Sequence, residues 1–138
     1  MNAVVEGYFA VLDEDLAAAR QLIAVLPRIG AFHLQQAAEK LVKAILSAEN
    51  IHTGADHDIG RLVASLPEGH EWKADLMELD YLSQFATAFR YPSETGRIRP
   101  APDRAKLEAF AELIATLADD ARRWCDARDA SSTSSAGT

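Results

Sequence analysis

Phe32-His33-Leu34-Gln35-Gln36-Ala37-Ala38-Glu39-Lys40-Leu41-Val42-Lys43-Ala44 sets amides, a carboxylate and two ammonium groups on a stretch whose other residues largely suit burial. Such groups either recognise anions or pair with one another. Leu34, Ala37, Ala38, Leu41, Ile45 and Ala48 follow the 3.6-residue period and mark the core side of a helix. Gln36, Lys40 and Lys43 fall largely on the other side. Gln35, Glu39 and Lys43 step by four, which predicts pairing along the surface. His33 shares a face with Gln36 and Lys40; it is either a ligand contact or a hydrogen-bonded, partly buried imidazole.

Arg90 ends a second predicted helix, just before Tyr91-Pro92. A guanidinium there is favoured by the helix dipole and can grip a phosphate or carboxylate through two parallel bonds. The same side chain could instead bridge to Asp80 or Glu39. Asp80 lies close to the same helical face and could orient Arg90 or bind a metal that accompanies a nucleotide. Tyr91 could stack on a base, or with Pro92 fix the departing chain. His57 is expected to close a capping interaction. If the two helices are neighbours, His33, Gln36, Lys40 and Arg90 line a small anion-recognising cleft. There is no glycine-rich phosphate loop, no carboxylate pair with a matching nucleophile and no His-containing metal motif. No catalytic residue, metal ligand or cofactor is therefore assigned.

The elements that must position these groups are helices, since Ala and Leu abound and strand-like runs of Val, Ile, Thr and Tyr are nearly absent. Helices are predicted from Asp13 to Leu26, ended by Pro27, and from about Ile29 to Ala48. A third runs from His57 to Leu66, capped by Asp56 and stopped by Pro67 and Gly69. A fourth spans about Trp72 to Phe89, with Leu76, Leu79, Leu82, Ser83, Ala86 and Phe89 at bundle spacing, and ends before Pro92. Ser93 to Pro102 is a loop made locally basic by Arg97 and Arg99. The last helix is predicted from Asp103 to Ala127, with Leu107, Phe110, Ala111, Ile114, Leu117, Ala118, Ala121 and Cys125 on one face. The expected fold is all-α, an up-and-down antiparallel bundle of four to five helices. One domain would cover 1–128, and the polar 129–138 tail is expected to be disordered.

A chain of 138 residues is long enough for one well-buried core. Its net charge of -7 argues against a general nucleic-acid surface, although a dimer could gather Arg90, Arg97 and Arg99 from both chains into one patch. Cys125 is the only cysteine, which excludes a disulfide framework and predicts a buried thiol. With no basic leader before an apolar core and no run of membrane-spanning length, a cytoplasmic protein without membrane contact is expected.

Asp15-Leu16-Ala17-Ala18-Ala19-Arg20, the run from Ala31 to Ala44 with its Gln-Gln-Ala-Ala-Glu-Lys centre, His57-Asp58-Ile59 and Phe89-Arg90-Tyr91-Pro92 together resemble the HEPN family of small helical domains. The likeness covers nearly the whole chain except the tail. It implies a four- or five-helix bundle, often a homodimer, and in many members a separate or fused nucleotidyltransferase for which the helical domain binds a nucleotide or other substrate. Another branch, often toxins of toxin-antitoxin pairs, consists of metal-independent ribonucleases whose signature is an Arg and a His separated by four to six residues. Carried onto Arg90, that His falls between Thr95 and Arg97, where the chain has Thr95, Gly96 and Arg97. A ribonuclease would need His33 or His57 from another helix or subunit. The favoured reading is a non-catalytic module that binds a nucleotide or other anion beside a separate nucleotidyltransferase. The alternatives are a ribonuclease and a purely structural interaction module.

Overall fold

The computed structural model describes residues 1–87 and 90–136, the last five by backbone alone. Five α-helices, α1 (Ala3–Leu22), α2 (Pro27–Ala48), α3 (Ile59–Ala64), α4 (Lys73–Glu78) and α5 (Arg104–Ala136), form an up-and-down bundle, with a 3₁₀ helix (Leu79–Phe85) continuing from α4. No strand occurs among the described residues. None of their helices is long and apolar enough to cross a membrane.

The first helix begins well before the predicted Asp13. Asn2 caps it by accepting a hydrogen bond from the Val5 amide at 2.9 Å, and Val5, Phe9 and Leu12 carry the buried stripe back to its first turn. Gly7 and the β-branched Val4, Val5 and Val11 weaken intrinsic helicity there, but packing overrides them. α1 stops at Leu22, and Pro27, expected only as a breaker, is the first residue of α2. A proline suits that place because its missing amide is not needed and its φ is already helical.

α2 is the central helix. It packs against α1, α3, the 3₁₀ helix and α5, and thirteen of its 22 residues are buried, so it has little solvated face left. Gln35, Glu39 and Lys43 do pair at steps of four as expected, but that surrounding moves the pairing off the surface, the three being 1%, 2% and 5% exposed. α2 ends in a left-handed cap at Asn50, with φ of 63°, where the Ile51 amide returns to the Leu46 carbonyl at 2.8 Å and the Asn50 amide to Ser47 at 3.0 Å.

The third helix is shorter than predicted, and Asp58, not Asp56 or His57, is its cap, accepting from the Arg61 amide at 2.9 Å. The fourth predicted helix divides. Leu76, Leu79, Leu82 and Phe85, all buried, recur every third residue, and that spacing keeps one face inward only in a three-residue turn, the geometry of the 3₁₀ helix. Phe89, the predicted end, lies outside the described residues. α5 presents Leu107, Ala111, Ile114, Leu117, Ala118, Ala121 and Cys125 to the core. It runs past the predicted Ala127 to Ala136, with no Pro or Gly to interrupt residues 128–136.

Candidate functional site

One face of α2 gathers most of the chemistry. Phe32, Gln36, Glu39, Lys40 and Lys43 recur at three- and four-residue steps, which align side chains along a helix. Phe32 to Glu39 is nearly two full turns, a rise of about 10 Å on one side.

At the C-terminal half of this face Glu39 is the hub. Its Oε2 receives His57 Nδ1 at 3.2 Å and Lys40 Nζ at 3.4 Å, with Lys43 Nζ at 3.9 Å. Its Oε1 accepts from Gln35 Nε2 at 3.4 Å. The ladder continues as Gln36 Nε2 donates to Gln35 Oε1 at 2.6 Å and Lys40 Nζ donates to Gln36 Oε1 at 3.1 Å. A carboxylate so deeply placed is tolerable because hydrogen bonds and two cations meet it. His57 reaches it from the loop before α3 and leaves most of its ring in solvent, its side chain 72% exposed.

That loop is fixed by carboxylates. Asp56 accepts from the Asp58 amide at 3.0 Å and forks with Arg61, whose Nε and Nη2 reach its two oxygens at 3.0 and 2.9 Å. The Arg61 bond and the Asp58 amide hold the Asp56 carboxyl well below the usual carboxylate range. Asp80 Oδ1 takes the Gly60 amide at 3.0 Å and the Ser83 hydroxyl at 2.9 Å, anchoring the 3₁₀ helix to the start of α3. A Cβ on Gly60 would lie 3.0 Å from that carboxyl group.

At the N-terminal end of the same face, Arg90 lays its guanidinium over the Phe32 ring, 4.2 Å from the centroid, with the Tyr91 ring at 5.9 Å. The residue is exposed, its amide donates to the Thr87 carbonyl at 3.0 Å, and its guanidinium makes no hydrogen bond or ion pair with the described residues. A guanidinium stacked in this way keeps the edges that bind an oxyanion. Next to it, Thr87, Tyr91, Pro92, Ser93, Arg97 and Arg99 enclose a surface pocket of about 270 Å³. The turn is closed by the Ser93 amide to the Arg97 carbonyl at 2.8 Å and by the Arg97 amide to Ser93 Oγ at 3.0 Å.

The structure thus brings Lys40 to Gln36, and Arg90 to the rings of Phe32 and Tyr91, while no contact among the described residues joins Arg90 to Gln36 or Lys40. His33 is turned to α1 instead, its Nδ1 3.0 Å from Asp15 Oδ1. Asp80 serves α3, and neither it nor Glu39 bridges to Arg90. Phe32, the platform under Arg90, was legible as the residue one turn before Gln36. The pocket formed by Arg97 and Arg99 had no local signal beyond their charge. Among the described residues no three His, Cys, Asp or Glu side chains are grouped to hold a metal ion. Cys125 is free and buried, and its burial pushes the thiol pKa up.

A central helix with a buried polar ladder, approached by a His-Asp loop on one side and an Arg-Tyr-Pro turn on the other, defines a particular class of helical bundle. Residues 13–122 match the HEPN domain, most of the chain, and the protein belongs to that family. No curated protein and no solved structure matches it.

Proposed function

We propose that the protein is a non-catalytic binding module whose ligand is a nucleotide or a related small anion, held at the Arg90 end of α2 and presented to a separate nucleotidyltransferase. The observation that carries this reading is Arg90 itself, exposed and stacked on Phe32 with no carboxylate partner among the described residues, beside the basic Tyr91–Arg99 pocket. Tyr91, 65% exposed, offers a ring to a base, while Arg90 and Arg97 meet phosphate oxygens. Gln36 and Lys40 continue the polar face one and two turns on from Phe32. From Arg90 to Lys106 the sequence holds five cations against Glu94 and Asp103, Arg104 being paired with Glu108, in a chain of net charge -7, which favours a compact anion over a long polyanion. The partner enzyme would supply metal ions and chemistry, and a homodimer in the cytoplasm is the expected form.

The experiment is thermal stability against nucleoside mono- and triphosphates, with and without magnesium, for wild type and Arg90→Ala. Binding to the native state must raise stability. A nucleotide-dependent rise that disappears in Arg90→Ala is expected; equal shifts in both proteins would remove Arg90 from the site.

His57 favours a second reading, a ribonuclease assembled without the late histidine. Buried Glu39 holds its Nδ1 and an outward Nε2 could act as a general base, as carboxylate-imidazole pairs do. Cleavage of RNA without added metal, lost in His57→Ala, is what this reading requires. Intact RNA after prolonged incubation with wild type would eliminate it.

A further inference from the structure

Lys43 is 5% exposed, its stem packed away while its ammonium keeps a narrow contact with solvent. That ammonium makes no hydrogen bond among the described residues, and the nearest carboxylate oxygen, Glu39 Oε2, is 3.9 Å away. An ammonium has three donors, and withdrawing it from water is costly unless acceptors replace the solvent. Glu39 Oε2 cannot fully meet that need because His57 Nδ1 and Lys40 Nζ already approach it at 3.2 and 3.4 Å. The neighbouring carboxylates are occupied as well: Asp56 by Arg61, Asp58 by the start of α3, and Asp80 by the Gly60 amide. One carboxylate therefore serves two ammonium groups and an imidazole. The corner keeps a positive surplus inside a chain whose net charge is -7.

We propose that this corner is a second anion site, in which a phosphoryl oxyanion is held by the Lys43 and Lys40 ammonium groups and by the exposed His57 ring. The anion takes the ammonium donors that Lys43 turns to solvent and balances the surplus charge. His57 is its movable wall, because its loop is anchored by Asp56 and Asp58 while its own ring is held only by Glu39. The site lies on the face of α2 that begins under Arg90, about 12–16 Å along the helix. Two cationic poles on one face select a phosphorylated compound with two separated anionic groups. The second site stands on Lys40, Lys43 and His57; only the bridging ligand rests on the Arg90 reading.

The test follows the ring resonances of the four histidines of the full-length chain by NMR during titration with inorganic phosphate, against chloride at equal ionic strength. Phosphate is expected to move the His57 signals in wild type and in Arg90→Ala, and Lys43→Met to weaken that response about tenfold or more, the worth of one charge-assisted hydrogen bond. If Lys43→Met does not fold, Lys40→Met is expected to show the same loss. His57 signals that ignore phosphate, or that respond with the same Kd after the lysine is replaced, would overturn the second site. Loss of nucleotide binding in Arg90→Ala with the His57 response retained separates the two sites. Nucleotide binding retained in Arg90→Ala with the His57 response present refutes the Arg90 reading alone.

Discussion

Glu39 is a carboxylate kept below the surface by the groups that surround it, and its removal would cost more than any single bond it makes. Without it two ammonium groups, one of them nearly buried, would face each other with no counter-charge. Glu39→Ala is therefore expected to lower unfolding free energy by about 3 kcal/mol or more in urea denaturation, whereas replacing the exposed pair Arg104 and Glu108, which meets at 2.8 Å, should change it by less than about 1 kcal/mol. Cys125 tests burial in another way. Because burial raises its pKa, thiolate is scarce near neutral pH, and a disulfide reagent at pH 8 should modify it only after the protein is unfolded. Asp56 supplies a pH signature. A carboxyl whose pKa falls on folding stabilises the native state above its unfolded value, near 4, and loses that contribution as pH falls below it. The Tm gap between wild type and Asp56→Asn should be present at pH 6 and shrink steadily below about pH 4.

At the scale of elements, the close approach of α1 and α2 depends on a residue without a side chain. A Cβ on Gly30 would lie 2.9 Å from the Ile23 backbone nitrogen and 3.0 Å from its Cα, and backbone cannot swing aside. Gly30→Ala is expected to cost about 1–3 kcal/mol, although alanine is the better helix former, and urea denaturation measures the sign directly. The 3₁₀ helix makes the complementary case. Its Leu79, Leu82 and Phe85 face the core together, and Tyr81 stacks on Phe110 of α5 with ring centroids 5.2 Å apart. The three-residue repeat of these side chains could be read from the sequence. A mixed pattern in which Ser83 and Ala86 also suited a 3.6-residue helix concealed it, and hydrogen-bond quality yielded to packing of the apolar row.

For the molecule as a whole, α2 leaves one continuous core in which every other element has a share. Trp72 and Trp124 meet edge to face at 5.6 Å where the start of α4 docks on α5, and Arg128 covers Trp124 at 4.4 Å. A single core predicts a single transition. Tryptophan emission and far-ultraviolet circular dichroism should follow the same urea curve, and separated midpoints would mean that α4 and α5 part before α1 and α2 do. The basic Arg90–Lys106 segment also sets a salt dependence. Anion binding there should weaken as ionic strength rises, since exposed guanidinium groups are screened.

Residue order alone determined that the chain is helical, roughly where the helices run, and that Gln36, Lys40 and Arg90 are the polar groups worth following, because apolar period and capping chemistry are local properties. It also carried the family likeness, since the His57-Asp58 and Arg90-Tyr91-Pro92 signatures are contiguous in the chain. What only the tertiary structure decided is which groups meet. Glu39 and Lys43 have the spacing of a surface pair and become a buried charge cluster because α1, α3, α5 and the 3₁₀ helix enclose α2. His33 turns to Asp15, His57 to Glu39 and Asp80 to Gly60. Those partners lie 18 to 20 residues away, and no local pattern encodes which of several available carboxylates a side chain will find once packing has chosen its neighbours.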